Sequence, residues 1–112
     1  MFGGDEDDLL LGEAGNDDLR GQAGSDTLIG GSGEDTLRSG DGDDLLFGGD
    51  EDDLLLGEAG NDALRGQAGS DTLIGGSGDD DLRGGDGDDL LFGGDEDAVS
   101  YTHLTLPTTP YV

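Results

Sequence analysis

The amino-acid sequence predicts an all-β solenoid made of very short strands that coil and stack on one another. Three observations predict it. A nine-residue frame, G-G-x-G-x-D-x-U-x with U aliphatic, runs from Gly3 to Phe92 without insertion or deletion and reads GGSGEDTLR at Gly30–Arg38. The sixth position is aspartate and the eighth is leucine in all ten copies. Glycine recurs at the first, second and fourth positions, where a tight turn or a close backbone approach excludes side chains. A unit this short cannot bury an apolar face by itself, so its order must come from stacking on its neighbours.

Taken in order, the chain opens inside a repeat. Met1 and Phe2 hold the eighth and ninth positions, where later copies have Leu46-Phe47 and Leu91-Phe92, so the pair is not read as a leader and the start is expected to be an internal Met of a longer array. The first six residues of each unit form a turn. Glu13, Gln22, Glu58 and Gln67 replace its second glycine, Ser39 a first, and Glu6, Glu51 and Glu96 the fourth. Turns containing Glu6 and Glu51 are expected to be the most strained. The last three residues, as in Thr27-Leu28-Ile29, read as a short strand with its middle side chain inward.

A second period overlies the first. Residues 3–47 and 48–92 are 45-residue blocks that differ only at Asp18/Ala63, Glu34/Asp79, Thr36/Asp81 and Ser39/Gly84. Duplication of a five-repeat block accounts for them, and a third block begins at Gly93. The repeat array therefore spans residues 1–97. From Ala98 the phase is lost and composition changes to AVSYTHLTLPTTPYV, which holds the sole histidine. Val99 to Thr108 matches the translation of a widely used transposase sequencing adapter. Residues 98–112 are accordingly expected to be a non-native tail that packs on nothing, and His103 is given no function.

The hydrophobic fraction is 30% and the formal net charge is −25, with 29 acidic residues against four arginines. Composition of this kind marks disorder unless a ligand supplies the missing stability. Phosphate-rich partners are repelled, which excludes nucleic acid. No apolar run approaches membrane-spanning length, so membrane insertion is not expected. A cation is the natural partner. Cysteine is absent, leaving no disulfide framework.

Across residues 3–97 the nonapeptide resembles the hemolysin-type calcium-binding repeat of the RTX family. In that family the first six residues bind Ca²⁺ in a turn and the last three form a strand, and successive units coil two per turn into a parallel β-roll, a right-handed β-solenoid. The resemblance implies that the metal ligands are Asp8, Asp17, Asp26, Asp35, Asp44, Asp53, Asp62, Asp71, Asp80 and Asp89. Each Ca²⁺ would sit between turns two repeats apart. One edge ladder then runs through Asp8, Asp26, Asp44, Asp62 and Asp80 and the other through Asp17, Asp35, Asp53, Asp71 and Asp89, giving about eight ions. Acidic residues at the third and fifth positions, such as Asp41, Asp43, Asp86 and Asp88, would raise the local field.

Two repeats per turn also places Leu11, Ile29, Phe47, Arg65 and Arg83 on one face and Arg20, Arg38, Leu56, Ile74 and Phe92 on the other. The apolar ladders Leu9, Leu11, Ile29, Leu45, Phe47 and Leu54, Leu56, Ile74, Leu90, Phe92 are expected to drive self-association. The resemblance further implies a secreted, extracellular protein exported unfolded by a type I channel.

Other chemistry finds no residues. The D-x-[DN]-x-[DN]-G-x₅-E spacing of an EF-hand is missing, as are the lysine of a P-loop and any histidine within the array to activate Ser25 or Ser70. The array is therefore read as non-enzymatic, any activity lying in flanking domains. The alternatives are a structural, adhesive or ice-binding repeat, or an acidic disordered segment.

Overall fold

The computed structural model describes residues 1–94 and 99–101. It is all-β, with no helix among the described residues. The strands are β1 (Phe2–Gly4), β2 (Leu9–Ala14), β3 (Asp18–Ala23), β4 (Thr27–Ser32), β5 (Thr36–Asp41) and β6 (Leu45–Asp50). They continue as β7 (Leu54–Ala59), β8 (Ala63–Ala68), β9 (Thr72–Ser77), β10 (Asp80–Asp86), β11 (Leu90–Gly94) and β12 (Val99–Tyr101). Consecutive strands alternate between two parallel sheets, ordered β1-β3-β5-β7-β9-β11 and β12-β10-β8-β6-β4-β2. Each strand thus pairs with the one two repeats away, and the strand between them on the opposite sheet is the crossover that parallel pairing requires. This is the β-solenoid expected, with about 5 turns.

Most strands are six residues long rather than the three expected. Pairing resumes past the first-position glycine: β2 matches Leu9–Leu11 to Thr27–Ile29 and then Glu13–Ala14 to Gly31–Ser32. Positions two and three find ladder partners on the next rung, so the turn proper contracts to positions four to six. Only the stack provides those partners, which is why a single unit reads shorter.

The interior is one column of leucines. Leu28, Leu37, Leu46, Leu55, Leu64, Leu73, Leu82 and Leu91 are fully buried, and Leu10 and Leu19 nearly so. Positions seven and nine on either side point outward, because side chains alternate along a strand. The ninth-position ladders run as expected, Leu11, Ile29, Phe47, Arg65 and Arg83 on one sheet and Arg20, Arg38, Leu56, Ile74 and Phe92 on the other.

The turns separate glycine from its replacements. At positions two and four the glycines take φ between 93° and 127°, a range that L side chains rarely adopt. Glu13, Gln22, Glu51, Glu58 and Gln67 instead take φ of 76–87°, nearer the left-handed helical basin that a side chain tolerates. Strain is therefore shared by these five residues. Glu6 does not take a positive φ, contrary to expectation, and no contact in the structure accounts for the difference.

The tail departs from expectation as well. Val99–Tyr101 pairs with β10, matching Asp80 to Val99 and Leu82 to Tyr101, one residue out of the 18-residue step kept by every other pair. The open edge of β10 presents unpaired backbone groups that accept any extended segment. Sequence phase is not needed for that, and the slipped register agrees with the loss of phase at Ala98. His103 lies outside the described residues.

Because each rung contacts only its neighbours, truncating a central leucine should break the column. Leu55→Ala is expected to cost about 2–5 kcal/mol in the folded roll, and Leu10→Ala at the first rung distinctly less. Denaturant titration followed by circular dichroism checks both.

Candidate metal centre

Each unit ends its turn on the sixth-position aspartate, which leads directly into the strand, so the pitch of the sheets sets the spacing of the aspartates. The stack brings them into two columns along the edges of the roll, with the membership expected from the sequence. Within a column each aspartate grips the turn before it. The Asp8 N–H donates to Asp26 Oδ1 at 2.8 Å, Asp26 N–H to Asp44 Oδ1 at 2.7 Å, Asp44 N–H to Asp62 Oδ1 at 2.9 Å and Asp62 N–H to Asp80 Oδ1 at 2.9 Å. On the other edge Asp17, Asp35 and Asp53 donate in the same way to Asp35, Asp53 and Asp71, and Asp71 to Asp89, at 2.8–2.9 Å.

The second carboxylate oxygen is treated differently. Oδ2 of Asp8, Asp17, Asp26, Asp35, Asp44, Asp53, Asp62, Asp71 and Asp80 is buried and accepts no hydrogen bond. It lies over the first-position glycine of its own unit: a Cβ on Gly12 would sit 2.7 Å from Asp17 Oδ2 and 2.6 Å from the Gly30 carbonyl oxygen. Ser39 stands at this position with its hydroxyl donating to the Gly57 carbonyl at 2.8 Å, and it offsets part of the rise that burial gives the proton affinity of Asp44 beside it. Except at the first turn of each edge, these carboxylates are almost wholly buried, Asp71 and Asp89 to 1% exposure.

Burying like charges in columns shows in their proton affinity. Loss of hydration raises the carboxyl pKa of Asp26, Asp35, Asp44 and Asp80, and pushes Asp53, Asp62 and Asp71 up to about 7. The backbone N–H from the preceding turn pulls each back in part, and neighbouring carboxylates add to the rise, Asp44 and Asp80 acting on Asp62 from either side.

Sequence reasoning missed a second ladder. Asx side chains at the fifth position accept from the fifth-position N–H of the following turn: Ser25 donates to Asp7 at 2.7 Å, and Asn61 to Asp43, Ser70 to Asp52 and Asp79 to Asn61 at 2.9 Å. These bonds run from later turn to earlier, opposite in sense to the sixth-position bonds, so stacked turns are clasped both ways. The recurrence of Asp and Asn at position five was the available signal. Asp43 thereby acts as a turn clasp in addition to any field it supplies.

The donor set suits a hard cation. Among the described residues no three carboxylate or imidazole groups converge on one point, so side chains alone build no cage. Beside an orphaned Oδ2 lies the first-position carbonyl of the following turn, as Gly30 O beside Asp17 Oδ2, while carbonyls of positions two and four aim along the stack in the turns, those of Glu13 and Gly15 lying where a Cβ on Gly31 or Gly33 would fall. Among the described residues the groups able to ligate a metal offer oxygen, and mixed carboxylate and carbonyl coordination is the preference of Ca²⁺.

A sequence profile described as the RTX calcium-binding nonapeptide repeat matches four overlapping stretches, residues 2–37, 29–64, 38–73 and 65–97. No curated protein and no solved structure matches the chain.

A carboxyl whose folded pKa stands near 7, against 3.8 unperturbed, favours the roll when protonated. In chelator the roll should therefore be most stable below pH ~4 and lose that contribution as pH rises through ~7. Strand signal in chelator is expected to be greater at pH 5 than at pH 8. An equal signal at the two would contradict the burial of these groups.

Proposed function

The chain belongs to the RTX calcium-binding nonapeptide repeat family, and on that premise we propose that it is a calcium-driven folding module in which the sixth-position aspartates are the ligands. The observation that carries this reading is the row of buried Oδ2 atoms with no proton donor. Such atoms are costly to bury ionised and inexpensive to bury beside a cation. Bound calcium supplies the positive charge that the columns lack. The first-position glycines keep the space over Oδ2 clear, and the sixth-position and fifth-position bonds hold the turns at fixed spacing.

Two columns with four gaps each give about eight ions, shared between turns. Sharing couples the sites, so the roll forms cooperatively. The work of the module is structural; catalysis, adhesion or toxicity would belong to other parts of a longer protein. The family is typical of secreted bacterial proteins. A chain that folds only with calcium would stay unfolded in a calcium-poor cytosol, cross an export channel extended, and fold outside.

Circular dichroism during calcium titration at neutral pH should convert coil to strand with a Hill coefficient above one, and magnesium at equal concentration should not substitute. Extracellular modules bind at about 10⁻⁴ to 10⁻³ M, and ten-fold excess stabilises a site by roughly 1.4 kcal/mol. Absence of a calcium response would overturn the reading. Asp44→Ala or Asp53→Ala, each shared by two gaps, should remove two ions and Asp8→Ala one, counted by equilibrium dialysis. Equal losses from all three would show that ions are not shared along the columns.

A further inference from the structure

All four arginines stand at the ninth position, and the outward positions seven and nine carry only two carboxylates, Asp18 and Asp81. Every other acid of the array falls at positions two to six, those at four to six in the turns and those at two and three, Glu13 and Glu58 among them, mostly in the last part of the strands. The two sheets thus carry few acids for so acidic a molecule, and Glu58 on one of them is already paired with Arg38 at 3.0 Å. On the β2–β10 sheet the first rung is open, Leu9 being 63% and Leu11 44% exposed. Because an odd number of repeats was duplicated, the same apolar sequence returns on the opposite sheet, where Leu90 and Phe92 are 38% and 39% exposed.

We infer that a second copy of this chain docks on each sheet, with the two solenoid axes parallel and a two-fold axis running between them in the same direction. That operation sets every rung against its own counterpart and reverses the strand direction. Position seven of one copy then faces position nine of the other. Leu9 meets Leu11, and Leu45 meets Phe47. Asp81 meets Arg83, where within one copy these already pair at 3.3 Å. On the other sheet Asp18 meets Arg20 by the same rule. At positions seven and nine no rung confronts like charges, whereas antiparallel docking of the same sheet would press Leu9 and Leu11 onto the Asp81–Arg83 ion pair and desolvate it.

A contact of this kind is isologous and self-complementary. Since both sheets are self-complementary and point in opposite directions, a docked copy always presents another free sheet. Association is therefore an open lateral stack and does not stop at a dimer.

Sedimentation velocity of the full chain in saturating calcium tests this, with strand signal from the same samples reporting the calcium-dependent fold separately from docking. The weight-average mass should climb past the dimer as concentration rises. Leu9→Glu with Leu45→Glu disables one sheet and should arrest assembly at the dimer. Asp81→Arg should weaken association roughly ten-fold by setting arginine against arginine, and adding Arg83→Asp should restore it, because the swapped pair is again complementary. A folded roll that stays monomeric, a wild-type stack that ends at two copies, or a swap that fails to rescue would each overturn the inference.

Discussion

The structure depends on one constraint: two columns of aspartates are buried at the spacing of stacked β-strands. A carboxylate in the interior normally neutralises, pairs or finds several donors. Here those beyond the first turn of each column accept from the N–H of the turn before, with like charges as their neighbours along the column. Burial raises their proton affinity, most of all in mid-array, where Asp53, Asp62 and Asp71 reach about 7. The columns hold a deficit of positive charge, which the proposed calcium ions would fill.

The remaining features keep that deficit regular. The first-position glycine leaves room over Oδ2, and the glycines at positions two and four let successive turns approach through their carbonyls. The leucine column fixes the repeat across the roll but is only one side chain wide. It gives register and little more, since each rung buries a single leucine while ordering a whole nonapeptide. Where position five is Asp or Asn, its side chain clasps the following turn in the sense opposite to the sixth-position aspartates, so those turns are held in both directions.

Duplication of five repeats, an odd number, has a geometric effect that an even number would lack. Each copy of the block begins on the sheet opposite to the last. Identical apolar and arginine stretches therefore appear on both sheets, displaced along the axis. Where the tail adds β12, the pairing slips by one residue, in keeping with an open strand edge whose backbone groups pair with an extended segment of any sequence.

The sequence by itself determined the period, the turn glycines and the inward leucine of each unit, because a strict nine-residue repeat stacks like upon like, and the resemblance to the family, which implies two units per turn, added the membership of both aspartate columns. With two units per turn, as the resemblance implies, Arg20 also falls beside Arg38 and Leu11 beside Ile29. Only the tertiary structure decided that strands run six residues, because positions two and three pair only with a rung that a single unit does not contain. It alone decided which carboxylate oxygen is spent on a backbone N–H and which is left bare, and it alone exposed the fifth-position clasp. Those depend on the distance and direction between turns 18 residues apart, quantities set by strand pairing and carried by no one stretch of sequence.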